Sequence, residues 1–214
     1  ATRFRVETVS TVNNLPAPAD AFFGRETELV QIAERLADPA CRLLTILGPG
    51  GVGKTRLAVE AGRAEVGRFH HGICFVPLAA VDTPDLVAAA ILQTLAASKK
   101  VATTPQQQVA DFLAERQLLL ILDNYEHLLA NDAEAADDDG VGLLPRLLEH
   151  APGLKLLVTS RERLNLHDEW LLPLGGLDLP PDDAPAAPPG PAILDAEPDA
   201  SGPLDLGAHA ATRF

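Results

Sequence analysis

Short apolar runs alternate with amphipathic segments over most of the chain. An unbroken apolar run bounded by turn residues is typical of a buried strand, whereas apolar residues three and four positions apart are typical of a helix. Strands are predicted at residues 42–47, 73–78, 118–122, 154–158 and 170–174. Helices are predicted at residues 26–36, 54–66, 84–97, 109–115 and 141–150. The alternation predicts a three-layer α/β fold, in which helices cover both faces of a mostly parallel five-stranded sheet.

Two stretches of different composition flank this pattern. Residues 1–20 are polar and include Pro16 and Pro18, so we predict an N-terminal arm or linker. Residues 178–214 are acidic and rich in proline, a composition that cannot sustain a core, and are predicted to form a tail or linker. The folded domain is therefore predicted at residues 21–177. Because the sequence holds no methionine, the initiator included, we expect a processed chain or a part of a longer one.

The net charge of −13 is concentrated in two segments. Residues 132–139 contain five acids and no base, and residues 178–214 contain seven acids against Arg213 alone. The first segment is expected to be a solvated loop, and the remainder of the chain is close to neutral. Because an acidic surface repels phosphate backbones, we expect no direct nucleic-acid binding by this chain.

Cysteine content and hydropathy exclude further classes of protein. Cys41 and Cys74 are too few for a disulfide framework or a zinc site, and each begins an apolar run. We expect buried, reduced thiols in a cytoplasmic protein. No apolar run approaches the ~18 residues that a membrane span needs, so we expect no membrane association.

The segment from Gly48 to Thr55 fits the phosphate-binding pattern G-x-x-x-x-G-K-S/T, with a predicted strand before it and a predicted helix after it. Glycines let successive backbone N–H groups face a phosphate, and the helix N-terminus adds a partial positive charge. Lys54 would reach the outer phosphates, and the hydroxyl of Thr55 would ligate Mg²⁺. The alternative is a glycine-rich turn with an incidental lysine. The expected nucleotide contacts are Pro49, Gly50, Gly51, Val52, Gly53, Lys54, Thr55 and Arg56.

A second part of such a site is predicted at Asp123, directly after the apolar run 118–122. A buried parallel strand would deliver this acid to the carboxyl edge of the sheet, where ligands bind. Asp123 would then hold Mg²⁺, through water; alternatively, it only begins a turn. A strand and a helix lie between the two motifs. This leaves room for an inserted strand between the strand before the phosphate-binding loop and the strand that ends at Asp123. Since no Asn-Lys-x-Asp segment is present to recognise guanine, ATP is favoured over GTP.

Four segments in this order resemble the STAND class of signal-transduction ATPases, which are related to NB-ARC domains and occur in bacterial ATPase and transcriptional-regulator proteins. The segments are residues 22–29 (FFGRETEL), 47–58 (LGPGGVGKTRLA), 122–128 (LDNYEHL) and 158–164 (VTSRERL). The resemblance covers about residues 15–177 and is more specific than the phosphate-binding loop alone.

The resemblance implies further site residues. Phe23, Gly24 and Arg25 would lie beside the adenine, and Arg161 would sense the terminal phosphate. A fork-shaped cation at the carboxyl edge of the sheet suits the latter role. The alternatives are a helix-capping segment at Gly24, Arg25 and Glu26 and a solvated surface arginine for Arg161. Thr159 and Ser160 are interpreted as possible turn residues.

The sequence departs from efficient ATPases of this kind at Asn124, where a second acid commonly serves as the base. Glu126 is a candidate catalytic acid, although a solvated residue at the turn is equally compatible, and His127 is expected to be a packing or surface residue. Slow hydrolysis is therefore expected. The resemblance also implies a helical lid and a winged-helix domain after this region, where we instead expect the proline-rich tail.

Three functions remain open at this point. The favoured one is an ATP/ADP switch read by effector or sensor domains, in the parent protein or in trans, with a possible nucleotide-dependent homo-oligomer. The second is a stand-alone ATPase or phosphotransferase, which Asn124 disfavours. The third is a weakly binding interaction scaffold, which the intact Lys54, Thr55 and Asp123 disfavour.

Overall fold

The computed structural model describes residues 11–17, 21–97, 103–129 and 142–176. The chain divides into two units, residues 1–177 and residues 178–214. The predicted acidic loop 132–139 and the predicted tail 178–214 lie outside the described residues.

The described residues contain six strands and five helices, together with one turn of 3-10 helix at Glu126–Leu128. The strands are β1 (Val12–Asn13), β2 (Leu43–Leu47), β3 (Gly72–Pro77), β4 (Leu118–Asp123), β5 (Leu154–Ser160) and β6 (Glu169–Pro173). The helices are α1 (Glu26–Ala37), α2 (Lys54–Ala64), α3 (Asp85–Thr94), α4 (Pro105–Leu113) and α5 (Leu143–His150). None of these helices is long and apolar enough to cross a bilayer.

The sheet has the strand order β1-β3-β4-β5-β2-β6, and every pair of neighbours is parallel. This confirms the three-layer α/β fold. It also confirms the inserted strand, since β5 lies between β2, which precedes the phosphate-binding loop, and β4, which ends at Asp123. The carboxyl ends of β2, β4 and β5 therefore meet at one edge of the sheet, where ligands of such folds bind.

The predicted number of five strands is wrong, because β1 adds a sixth at the edge beside β3. This strand lies within the stretch predicted to be an arm, and its two residues are too short to show an alternating pattern. The side chain of Asn14 extends the pairing. Its amide donates to the carbonyl of Phe75 at 2.7 Å and accepts from the Phe75 N–H at 2.7 Å.

The sheet is buried on both faces, which explains the unbroken apolar runs. Within β4, Leu118, Leu120 and Leu122 pack in the apolar cluster that includes α3, α4 and α5. The alternate residues Leu119 and Ile121 pack in the cluster that includes α1 and α2. The phosphate-binding loop is thus built on strands that have packing on both sides.

Helix α4 begins earlier than the apolar spacing predicts. The predicted start is residue 109, whereas the helix starts at Pro105. Thr104 caps it, since the hydroxyl of Thr104 accepts the N–H of Gln107 at 3.3 Å, and proline is favourable at the first helical position.

Candidate functional site

The phosphate-binding loop joins β2 to α2 and has the backbone that its glycines permit. Gly53, the residue before α2, has φ of +93°, a left-handed conformation that L side chains rarely adopt. The helix then starts at Lys54, so its first N–H groups face the loop. This arrangement is a binding site for phosphate.

Lys54 is held inside the loop by its own backbone. Its ammonium group donates to the carbonyls of Gly48 at 2.8 Å and Pro49 at 2.9 Å, and the residue is buried. The cation is therefore fixed at the start of α2, where the helix dipole also favours an anion.

Asp123 is the point at which three elements meet. Its Oδ1 accepts hydrogen bonds from the hydroxyls of Thr55 at 2.7 Å and Thr159 at 2.6 Å. Thr55 lies at the start of α2, Asp123 at the end of β4 and Thr159 near the end of β5. The two predicted Mg²⁺ ligands are thus in direct contact.

Thr159 is a site residue that sequence reasoning missed, since it was interpreted as a turn residue. It is buried in β5, and its hydroxyl also accepts the N–H of Asn124 at 2.9 Å. A polar side chain near the end of a strand adjacent to that of Asp123 was the available signal. Ser160 is also buried in the strand, and its hydroxyl accepts the N–H of Glu162 at 3.1 Å.

The donor atoms at this point suit Mg²⁺. A carboxylate and a hydroxyl are hard oxygen ligands, and Mg²⁺ in nucleotide sites is commonly held by one or two such groups with phosphate and water oxygens. Across the described ranges, no cluster of three or more His, Cys, Asp or Glu could hold a metal by itself. Thr55 and Asp123 therefore fit a metal that arrives with phosphates.

Arg161 and Glu126 form an ion pair, with 2.9 Å between Nε and Oε1. The guanidinium of Arg161 also lies against the phosphate-binding loop, 3.3 Å from the position that a Cβ on Gly50 would occupy. Oε2 of Glu126 is buried and has no hydrogen-bond partner in the described part of the chain. The two candidate residues from separate motifs are thus brought together at the loop.

Asn124 is oriented by a surface histidine. It has φ of +68°, and its amide nitrogen lies 3.3 Å from Nδ1 of His127. Nε2 of His127 lies 2.8 Å from the carbonyl of Val81, which can only accept. His127 therefore carries its proton on Nε2 and accepts from Asn124 through Nδ1.

A cavity of ≈ 440 Å³ connects these groups. It extends from the loop along α2 to residues 16–17 of the N-terminal segment. Four cations and two carboxylates line it, so it is cationic within an acidic chain. The charged lining residues are Lys54, Arg56, Arg63, Arg161, Glu60 and Glu126.

Several residues predicted to contact nucleotide do not line this cavity. Pro49 and Val52 of the loop do not line the cavity, and neither do Phe23, Gly24 and Arg25. The side chain of Phe23 is exposed. The amide of Gly24 donates to Oε1 of Glu26 at 3.2 Å.

Arg25 has a structural setting of its own. It is buried, and its guanidinium contacts Oε1 of Glu28 at 2.6 Å and the carbonyl of Gly175 at 2.6 Å. It therefore joins the start of α1 to the segment after β6.

The strand order, the loop that ends in Lys54 and Thr55, and Asp123 at the end of β4 together define a P-loop NTPase. A family model described as Novel STAND NTPase 1 matches residues 15–165, and the chain belongs to this family.

Two proteins with similar sequences are named as regulators. The chain is 37% identical over 134 residues to a Mycobacterium tuberculosis protein provisionally named as an HTH-type transcriptional regulator, a match covering 62% of this chain and 14% of that protein. It is 31% identical over 161 residues to the regulatory protein AfsR of Streptomyces griseus, covering 70% of this chain and 15% of AfsR. The chain thus spans a small part of the length of these relatives.

Among solved structures, Cdc6p from Pyrobaculum aerophilum is similar in fold. The TM-score is 0.50 at 14% identity, over 78% of this chain and 48% of that one.

Proposed function

We propose that this chain is the ATP/ADP-binding switch domain of a STAND-type regulator and that it hydrolyses ATP slowly with Mg²⁺. The observation that carries the proposal is the convergence of Lys54, Thr55 and Arg161 on one cationic cavity, with Asp123 hydrogen-bonded to Thr55 behind it. We propose residues 21–177 as the nucleotide-binding domain. Strand β1, from the preceding segment, adds to its sheet.

Each side chain has a role that its position supports. Lys54 would neutralise the outer phosphates, and Thr55 and Asp123 would hold Mg²⁺ against them. The metal would draw charge from the phosphates when bound. Arg161, beside Gly50, would contact the terminal phosphate and so distinguish ATP from ADP.

Slow turnover follows from Asn124. An amide is not a base, and this one is held by His127. The adenine contact implied for Phe23, Gly24 and Arg25 remains a prediction, because none of them lines the cavity.

The regulatory role rests on the relatives. Their names, and the small part of their length that the chain spans, favour a module whose nucleotide state is read by effector or sensor domains. Two nucleotide states that differ in shape would supply that signal, and nucleotide-dependent self-association is a further way to read it.

The first experiment identifies the nucleotide that co-purifies with the protein, by chromatography after denaturation. ADP or ATP is expected, and a guanine nucleotide would overturn the assignment of the base. The second measures the melting temperature with ATP–Mg²⁺ and ADP–Mg²⁺. Since a ligand that binds only the native state stabilises it by about 2.7 kcal/mol at one hundred times its Kd, a clear rise is expected.

Lys54→Ala should remove that rise. Lys155→Ala is the matched control, because the Lys155 ammonium also donates to two backbone carbonyls, at 2.6 and 2.8 Å, but lies outside the cavity. The control lowers the starting melting temperature and keeps the nucleotide-induced rise. An equal rise in Lys54→Ala and the wild type would refute the site.

A further inference from the structure

The ion pair between Arg161 and Glu126 is asymmetric. The Arg161 side chain is 61% exposed, whereas that of Glu126 is 13% exposed. Glu126 begins the 3-10 turn that follows β4, and the nearby Tyr125 and Leu128 are both buried. The carboxylate is therefore anchored, and the guanidinium is the partner that can move.

Glu126 is poorly satisfied in this arrangement. Oε1 contacts Arg161, but Oε2 is out of reach of solvent and has no hydrogen-bond partner among the described residues. A buried carboxylate oxygen without a donor is unfavourable, so this group gains when a donor reaches it. Movement of Arg161 would open the carboxylate to water from the cavity that both residues line.

A terminal phosphate would compete for Arg161. The guanidinium already lies against Gly50, in the loop that would hold the phosphates. A phosphoryl group offers more negative charge than one carboxylate and suits the planar fork of arginine. ADP lacks this group, so only ATP competes.

We propose that Arg161 exchanges partners when ATP binds, from Glu126 to the terminal phosphate, and that the released Glu126 carboxylate then acts as the base for hydrolysis. This inference rests on the proposed function. The same arginine would thus both report the terminal phosphate and uncover the group that removes it.

The chemical step balances with water as the only co-reactant. The water oxygen bonds to the terminal phosphorus while the bond to the bridging oxygen breaks, and that electron pair leaves with ADP. Glu126 accepts the proton of the water and returns it to the released phosphate. The carboxylate supplies a function that the Asn124 amide cannot.

Glu126→Gln tests both the partner exchange and the role of Glu126 as base. It removes the negative charge that holds Arg161, and it removes the proton acceptor, while the shape of the side chain is kept. ATP should bind tighter, by up to about fivefold for a partly exposed ion pair, and ADP affinity should stay within about twofold. Hydrolysis at saturating ATP should fall by about a hundredfold. Calorimetry with each nucleotide and single-turnover phosphate release give these values.

Glu65→Gln is the matched control. Glu65 is also a buried carboxylate paired with a more exposed arginine, Arg68, at 3.1 Å, but it lies outside the cavity. Nucleotide affinities and hydrolysis should equal those of the wild type. If Glu126→Gln does not fold, Arg161→Gln, a change at an exposed side chain, should remove the preference for ATP over ADP without affecting ADP.

The outcomes separate the two proposals. A wild-type protein that neither binds nor hydrolyses ATP overturns the proposed function and this inference with it. A wild type that does both, with an unchanged ratio of ATP to ADP affinity in Glu126→Gln, overturns the partner exchange alone. If that variant binds ATP more tightly but hydrolyses it at the wild-type rate, the role of Glu126 as base is overturned.

Discussion

The hydroxyl of Thr159 donates to Oδ1 of Asp123 over 2.6 Å, the same oxygen that accepts from Thr55. The Thr159 hydroxyl also accepts the N–H of Asn124, so one buried side chain fixes both the proposed metal ligand and the residue after it. Because β4 and β5 are neighbours, this hydrogen bond joins two motifs that are far apart in sequence.

Thr159→Val keeps the shape of the side chain and removes its hydroxyl. We expect a loss of about 1.5–3 kcal/mol in the free energy of unfolding, because a buried carboxylate loses a donor and the Asn124 N–H loses its acceptor. More Mg²⁺ should also be needed for nucleotide binding. Urea unfolding and Mg²⁺ titration check these effects, with Thr159→Ser, which keeps the hydroxyl, as the control; identical behaviour of the two variants would contradict the role.

Gly72→Ala should detach β1. A Cβ on Gly72 would clash with the carbonyl oxygen of Val12, and φ is +92°. Gly67 has φ of +91° with nothing within 4 Å of its Cβ position, so Gly67→Ala measures the conformational effect alone, about 1–2 kcal/mol. Gly72→Ala should lose more free energy of unfolding and expose the β1 segment to protease; equal losses would show that β1 contributes little.

Arg25→Ala removes the contacts that join α1 to Gly175. We expect a loss of about 1–3 kcal/mol in the free energy of unfolding, because the Gly175 carbonyl and the Glu28 carboxylate lose a charged donor. The ratio of ATP to ADP affinity should not change, since Arg25 does not line the cavity. Arg25→Lys, which keeps the charge, should recover part of the stability. Calorimetry with both nucleotides measures the ratio of ATP to ADP affinity. A changed ratio would contradict a position of Arg25 outside the nucleotide site.

Stability should fall at high pH because of Cys74. Burial raises the pKa of this thiol from 9.0 to about 12. The unfolded chain then loses the proton first, so this contribution is intact below pH 9 and is lost between pH 9 and 12, by at most about 1.4 kcal/mol per pH unit. Cys74→Ala should flatten the decline in denaturant midpoint relative to the wild type. Parallel curves would contradict the assignment.

The fold was largely readable because the sheet is buried on both faces. Burial on both faces requires unbroken apolar runs, such as residues 118–122, and these can be recognised in the sequence. The glycine-lysine-threonine pattern identifies the loop. The exceptions have physical reasons. β1 is too short for periodicity, and its pairing depends on the Asn14 side chain, which mimics a backbone.

The site was only partly readable, because its contacts join distant segments. Asp123 could be placed from the end of its strand, and Lys54 from its motif. The Arg161–Glu126 ion pair and the hydrogen bonds of Thr159 form because β5 lies beside β4. The spacing of residues along the chain does not predict this order of the strands. His127 is a surface residue, as expected, and its contact with Asn124 could not be predicted from the sequence.

The cationic cavity is set in a domain that is otherwise close to neutral, because residues 132–139 and 178–214 carry most of the net charge of −13. A nucleotide, itself an anion, is attracted by the cavity only within about 8 Å, the distance over which physiological salt screens charge. Added salt should therefore slow capture. Once inside, the phosphates would be held by the buried Lys54, which salt screens poorly. Slow exit would make the bound nucleotide a memory of past ATP levels, not an instantaneous reading of them.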